Sequence, residues 1–391
     1  MYAKRFPYFN NIRPAIVIIA VTLFLGLSAG CSQSGTDSAG GKAFYVPEYA
    51  SGFRIDTLEN GITELLVRDS WQGADNAFGH ALMILPADDK VKKPSGYTGQ
   101  VITGPAQRIA AMSSTHVAML DAIGCRDRIV AVSGKDYIYN RDVRENPDIV
   151  DVGNQDNADI ETLVASKPDL VMLYGITSES RMQSRLEELG IPYVYIGDYT
   201  EQTPVGKAEW LVALAHICGV RDAGVAAFKK IPEAYNAVRK AVAEADLPKT
   251  KVMFNTPYAD SWVLPAAESY QLCLIADAGG EPVYEPSYGN TSTAISMEEA
   301  YLLTDKADVW LNLGLATKMS DIKTLAPKLM TSRPVRTGRV YNSNRRITRA
   351  GGSDYYESAV INPHIVLKDL ATILHPGLFG DYKPVYYRKL D

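Results

Sequence analysis

The chain is poor in cysteine and histidine and has no repeat, and each shortage excludes something. Its four cysteines, at 31, 125, 218 and 273 of 391 residues, are far apart and form no CxxC pair. That spacing argues against a disulfide scaffold or a zinc ribbon. The five histidines, at 80, 116, 216, 364 and 375, include no pair at ligand spacing, so a site for a free metal ion lacks its usual donors. The 30 glycines and 21 prolines follow no period, which removes collagen-like and solenoid folds. Basic charge is not in excess either. The formal net charge of −5 gives none of the positive field that a nucleic-acid binder uses. The apolar run Ala15–Leu27 falls short of the ~20 residues a spanning helix needs. With 46% hydrophobic and 22% charged residues, the body has material for sizeable cores and is not disordered throughout.

What is present starts at the N-terminus. Lys4, Arg5 and Arg13 precede the apolar run, and Ser28-Ala29-Gly30-Cys31 follow it. A basic region, a short apolar segment and a small-residue cleavage site make a secretory signal over residues 1–30. Its removal takes away three basic and no acidic residues, so the formal charge moves from −5 to −8. Leu27-Ser-Ala-Gly-Cys31 also resembles the bacterial lipobox. The resemblance implies cleavage before Cys31, whose thiol carries diacylglycerol. Several acyl chains on one residue meet the two-signal requirement for stable anchoring. Residues 31–42 are small and polar, a flexible tether with ends roughly 20 Å apart. Cys125, Cys218 and Cys273 sit among apolar neighbours and read as buried small hydrophobes. Gly26-x-Ser28-x-Gly30 matches the hydrolase nucleophile elbow, but a segment destined for removal lacks the strand–turn–helix that motif needs.

The mature chain changes texture twice. Residues 43–100 hold strand-like runs around Asn60-Gly61, a hairpin signal that predicts a β-meander. From 101 onward short apolar strands alternate with amphipathic helices, which predicts a three-layer α/β lobe with a largely parallel sheet. Over 222–246, Val225, Phe228, Ile231, Tyr235, Val238 and Val242 recur at spacings of three and four. They predict one long helix with an apolar stripe, interrupted by a kink or break at Pro232. The α/β alternation then resumes. The organisation is therefore an N-terminal lobe over 43–221 including the meander, a linker helix over 222–246, and a C-terminal lobe over 247–391.

The lobes share a phrase. Asp159-Ile-Glu161 is followed by Lys167-Pro-Asp-Leu-Val171, and Ser296-Met-Glu298 by Lys306-Ala-Asp-Val-Trp310. Each sets a glutamate in the first turn of a helix behind an N-cap residue. A glutamate there also interacts well with the helix dipole; its recurrence in equivalent places of both lobes is what points to function. Together with the lipobox, the linker helix, Gly351-Gly-Ser-Asp-Tyr-Tyr-Glu357 and His375-Pro376, the chain resembles the substrate-binding lipoproteins of bacterial ABC importers for iron–siderophore complexes and cobalamin. The resemblance covers roughly residues 101–380.

That resemblance implies a monomeric, extracytoplasmic, lipid-anchored binder in which two lobes joined by a stiff helix hold a ligand in the cleft between them. It implies that Glu161 and Glu298 dock onto arginines of a permease, which works with an ATPase. Glu299 is the rival for the second position. It further matches Tyr137 and Tyr174, each following a strand, to the cleft lip, with Tyr258 and Trp262 as candidates on the opposite lobe. Arg345, Arg346 and Arg349 cluster before Gly351-Gly352, and guanidinium suits the oxygens of anionic ferric chelates. Arg349 and Arg346 are thus the ligand candidates there, and an iron(III) chelate is the expected cargo, with no resident cofactor and no nucleic acid. Cobalamin and haem are the alternatives, with His116 the residue to watch for haem iron. An envelope hydrolase is the rival of another class. Ser113, Ser114 and His116 are close in sequence, but no orienting base and acid accompany them, and a serine-rich helix start is also an N-cap or anion site.

Overall fold

Asn60 and Gly61 take left-handed conformations (φ 60° and 75°), which let the chain double back between strand-forming runs. The computed structural model describes residues 43–391 apart from 75–76, 89, 177, 179 and 258–260. The signal, Cys31, the tether and Tyr258 lie outside the described residues. Strands β1 (Ala43–Tyr45), β2 (Phe53–Thr57), β3 (Thr63–Val67) and β4 (His80–Leu85) form an antiparallel meander in chain order, with Phe53 opposite Val67. The fifth strand, β5 (Gln100–Thr103), departs from the predicted meander by pairing parallel to β4. Residues 86–99 supply the long crossover that a parallel pair demands.

The next sheet carries the first predicted α/β alternation. It is built from β6 (Ile109–Ala111), α1 (Ser114–Ala122), β7 (Ile129–Val132), α2 (Arg141–Arg144) and β8 (Val150–Asp151), then α3 (Ile160–Ala165), β9 (Leu170–Leu173), α4 (Arg181–Leu189), β10 (Tyr193–Tyr195) and α5 (Pro204–Ile217). The strand order is β10-β9-β6-β7-β8, all parallel. β6 and β9 are buried along their whole length, as strands covered on both faces must be. Gly190 ends α4 in a left-handed cap.

Helix α6 (Arg221–Glu244) follows and runs through Pro232 without a break, the second of the two outcomes expected there. Proline removes one backbone donor and crowds one carbonyl; burial of the flanking Phe228, Ile231 and Tyr235 holds the helix across it. Val225 leaves the predicted stripe and is exposed. Gly224 brings α6 close to α5, since a Cβ there would lie 2.2 Å from that of Ala215.

The second α/β unit comprises β11 (Thr250–Phe254), β12 (Trp262–Leu264), α7 (Tyr270–Asp277), β13 (Gly280–Pro282), β14 (Thr293–Ile295), α8 (Met297–Lys306) and β15 (Val309–Leu311). It continues through α9 (Met319–Leu325), α10 (Arg333–Arg336), β16 (Val340–Asn342), α11 (Pro363–Leu374) and β17 (Arg388–Lys389). Its sheet order is β13-β11-β15-β16-β17, parallel except for β17, while β12 and β14 form a separate antiparallel ribbon. The fold is thus two α/β lobes with a long helix between them in the chain and an added N-terminal sheet.

Two buried glutamates fasten that sheet. Glu209 on α5 accepts hydrogen bonds from the Tyr45 hydroxyl (2.8 Å) and from the N–H groups of Glu48, Tyr49 and Ala50 (2.9, 2.7 and 2.7 Å). Glu201 accepts from the N–H groups of Ser51 and Gly52 and from the Trp210 indole. Carboxylates this deep remain only where such donors satisfy them.

Candidate ligand-binding cleft

In an open parallel sheet, ligands gather at the carboxyl ends of strands where the strand order reverses. In β10-β9-β6-β7-β8 that reversal lies between β9 and β6. The residues just beyond them, Tyr174 and Ser113–Thr115, line a cavity of about 370 Å³. Asp198, Tyr199 and Lys207 extend the same wall, and Tyr270, Tyr355 and Tyr356 face it from the second lobe.

Four helices begin at this cavity. The lining residues Ser113–Thr115 open α1, Pro204 and Lys207 lie in the first turns of α5, Tyr270 and Gln271 open α7, and Pro363 opens α11. The caps follow from sequence. Ser113, Thr203 and Ser269 accept from Thr115, Gly206 and Leu272 N–H groups, and proline fills the first position of α5 and α11, where its missing donor costs nothing.

Lys207 is only 9% exposed. Its ammonium donates to the Asp198 carbonyl (2.9 Å) and to Asp198 Oδ2 (3.3 Å) and stands 4.3 Å from the Tyr270 ring centroid. Thr115 Oγ1 donates to Asp198 Oδ1 (3.4 Å). Burial pushes the phenols of Tyr174, Tyr199, Tyr270, Tyr355 and Tyr356 above their ordinary value, so they stay protonated and can donate. His116 is fully buried within α1 and is not among the lining residues; desolvation lowers it to about 4, which keeps it neutral.

The other residues singled out in the sequence scatter. Tyr174 lines the cavity, whereas Tyr137 is 59% exposed and outside its lining. Trp262 is a correction: it is fully buried, donates its indole N–H to the Phe254 carbonyl (2.6 Å) and packs on Trp310. A ring spent on the core offers no face to a ligand. The arginines lie elsewhere. Arg346 lies over the Tyr139 ring and pairs with Asp354 (3.1 Å), Arg349 is exposed, and Arg345 borders a separate surface opening. None of the three lines the cavity. Among the described residues no group of three His, Cys, Asp or Glu could hold a metal ion.

Glu161 and Glu298 are exposed and occupy the same second helical position of α3 and α8. Asp159 and Ser296 cap those helices by accepting from the Thr162 and Glu299 N–H groups (3.0 and 3.2 Å). Beside the cleft the lobes touch directly. Glu357 accepts from the Tyr139 and Asn140 N–H groups (2.5 and 2.7 Å), Thr348 donates to the Asp136 carbonyl (2.9 Å), and Ser114 donates to the Tyr356 carbonyl (2.7 Å).

Sequence reasoning missed Lys207, Asp198, Tyr199 and Tyr270 as cavity residues. Tyr355 and Tyr356 fell inside the segment Gly351–Glu357 without being assigned a role, and only their adjacency marked them.

Comparison with known proteins matches residues 109–344 to the family described as periplasmic binding protein. An uncharacterised lipoprotein of Methanocaldococcus jannaschii is 26% identical over 332 residues, spanning 81% of this chain and 77% of that protein. Among solved structures, a periplasmic haem-binding protein from Pseudomonas aeruginosa aligns with a TM-score of 0.57 at 16% identity, covering 73% of this chain and 98% of that one. The periplasmic vitamin B12 binding protein of Vibrio cholerae aligns with a TM-score of 0.53 at 18% identity, over 69% and 97% of the two chains. Such likenesses carry the fold, and the family match spans more than half of the sequence. The chain belongs to the periplasmic binding protein family, a family of substrate-binding proteins rather than enzymes.

Proposed function

We propose that this protein captures an anionic iron(III) chelate of the ferric siderophore class in its cleft and delivers it to an ABC importer. The observation that carries the reading is the start of four helices at one tyrosine-walled cavity. Each helix N-terminus bears about half a positive charge and favours anions. Lys207 is neutralised by Asp198, so the helix ends supply the positive potential that the sequence had suggested for the arginines. Tyrosine rings suit the apolar frame of a chelator, and neutral phenols donate to its oxygens.

Haem is a second reading, favoured by the five tyrosines of the lining. A flat porphyrin could lie between rings with its propionates toward the helix starts, but a phenolate ligand to its iron would work against the raised tyrosine values. Cobalamin lacks the negative charge that the helix starts favour. Delivery would use Glu161 and Glu298 as two carboxylate points for permease arginines, which can pair in bidentate fashion. Acylated Cys31 would hold the monomer at the membrane, within reach of the permease and its ATPase.

The test is native mass spectrometry of the mature protein after incubation with ferric citrate, a ferric tris-catecholate, haemin and cyanocobalamin. Retention of an anionic ferric chelate is the expected result. Retention of cyanocobalamin alone overturns the charge argument.

A further inference from the structure

The N-terminal sheet lies outside the family-matched residues 109–344, yet one of its loops reaches the cleft. Segment Trp71–Ala74 leaves the strand region after β3. Trp71 packs edge-on against His80 and Tyr195, with centroids 5.9 and 6.3 Å away, which ties the loop to both its own sheet and β10. From that base the segment contacts both lobes. On the first lobe, the Gln72 N–H donates to the Ile176 carbonyl (2.9 Å), and Gln72 Nε2 stands 3.4 Å from the Tyr199 hydroxyl oxygen. On the second, the Gly73 N–H donates to Asn290 Oδ1 (3.2 Å), and Gln72 Oε1 lies 3.5 Å from the Ser292 nitrogen.

Ile176 and Tyr199 both line the tyrosine-walled cavity. Gln72 also borders a small adjoining cavity of about 40 Å³, which shares Tyr199, Tyr270 and Gln271 with the tyrosine-walled one. One side chain therefore sits at the rim where two cavities meet and reaches across from one lobe to the other. A primary amide suits this place. It donates to a phenol oxygen on one side and accepts from a backbone N–H on the other, with no charge to desolvate.

We propose that Gln72 is a ligand-retention residue, supplied by the N-terminal sheet, that bridges the lobes at the cavity rim and slows escape of bound ligand. This rests on the reading of the cavity as the ligand site. The loop contributes few contacts, so its effect belongs to the dissociation rate more than to the encounter.

Gln72→Ala and Gln72→Asn are compared with the wild type, each checked for unchanged thermal unfolding. In the ligand-free protein, hydrogen exchange across 289–293 is expected to speed up in both variants, since the Ser292 N–H loses its acceptor. With ferric citrate, a ferric tris-catecholate, haemin or cyanocobalamin as the bound probe, chase experiments are expected to give roughly tenfold faster release from Gln72→Ala. Exchange equal to wild type, or release within twofold of it, overturns the proposal while leaving the cleft reading intact. Failure of all four probes to bind the wild type overturns both.

Discussion

The ammonium of Lys207, on α5, lies 4.3 Å from the centroid of the Tyr270 ring, on α7, so one cation–π contact joins the two lobes across the cavity. The same ammonium pairs with Asp198, and both groups are buried. Breaking a buried pair from one side leaves an uncompensated charge and typically costs about 3–5 kcal/mol. Lys207→Ala is expected to destabilise the protein by about 3 kcal/mol in urea unfolding, and the double variant Asp198→Asn with Lys207→Met is expected to regain most of that. Equal stability of Lys207→Ala and wild type would show that the pair carries no weight.

Glu357 gives stability a pH dependence. Burial is the main cause that raises its carboxyl from 4.5 to about 7, against the pull of the Tyr139 and Asn140 N–H groups. The folded state therefore keeps this proton to a higher pH than the unfolded chain does. Its stabilising contribution is complete below about 4.5 and is lost as the pH rises through about 7. The effect amounts to about 3 kcal/mol at most. Denaturant curves at pH 5 and pH 8 should differ less for Glu357→Gln than for wild type. An identical difference in both proteins would remove Glu357 from the account.

Gly352 marks how tightly the lobes meet. A Cβ there would stand 2.0 Å from the Tyr137 carbonyl oxygen, so Gly352→Ala must push the two loops apart. Overpacking of this kind costs about 1–3 kcal/mol. A lowered melting temperature is expected, together with faster ligand release; an unchanged melting temperature would mean that the loops yield freely.

Glu161 and Glu298 separate capture from delivery. Replacing both with alanine is expected to abolish uptake in cells while ligand affinity in vitro stays within twofold, because both carboxylates are exposed and neither lines the cavity. A fall in affinity instead would exclude the docking role.

What could be read from the sequence was what local pattern controls. The Asn60-Gly61 hairpin, the parallel strands of continuous apolar residues and the capped helices of Glu161 and Glu298 all follow from spacing and turn chemistry. The serines at the start of α1 already suggested a cap or an anion site, and they do line the cavity. The site as a whole was harder to see. Tyr174, Tyr199, Tyr270 and Tyr355 are spread over some 180 residues, and only the strand order brings them to one place. Trp262 misled because an aromatic beyond a strand can serve the core or a ligand equally well. Arg346 and Arg349 lie outside the cavity lining, since a cluster of charge in sequence says nothing about which way a loop faces.

The fastening of Glu209 to residues 45–50 also decides where the chain can be cut. Trimmed to the family-matched stretch 109–344, the protein would lose the donors from residues 45–50 that hold that carboxylate, and a bare anion would remain embedded in helix α5, which is buried on nearly all sides. The leading sheet is thus an internal counterpart of the family-matched body, and a shortened version made for crystallisation or engineering should begin ahead of Tyr45.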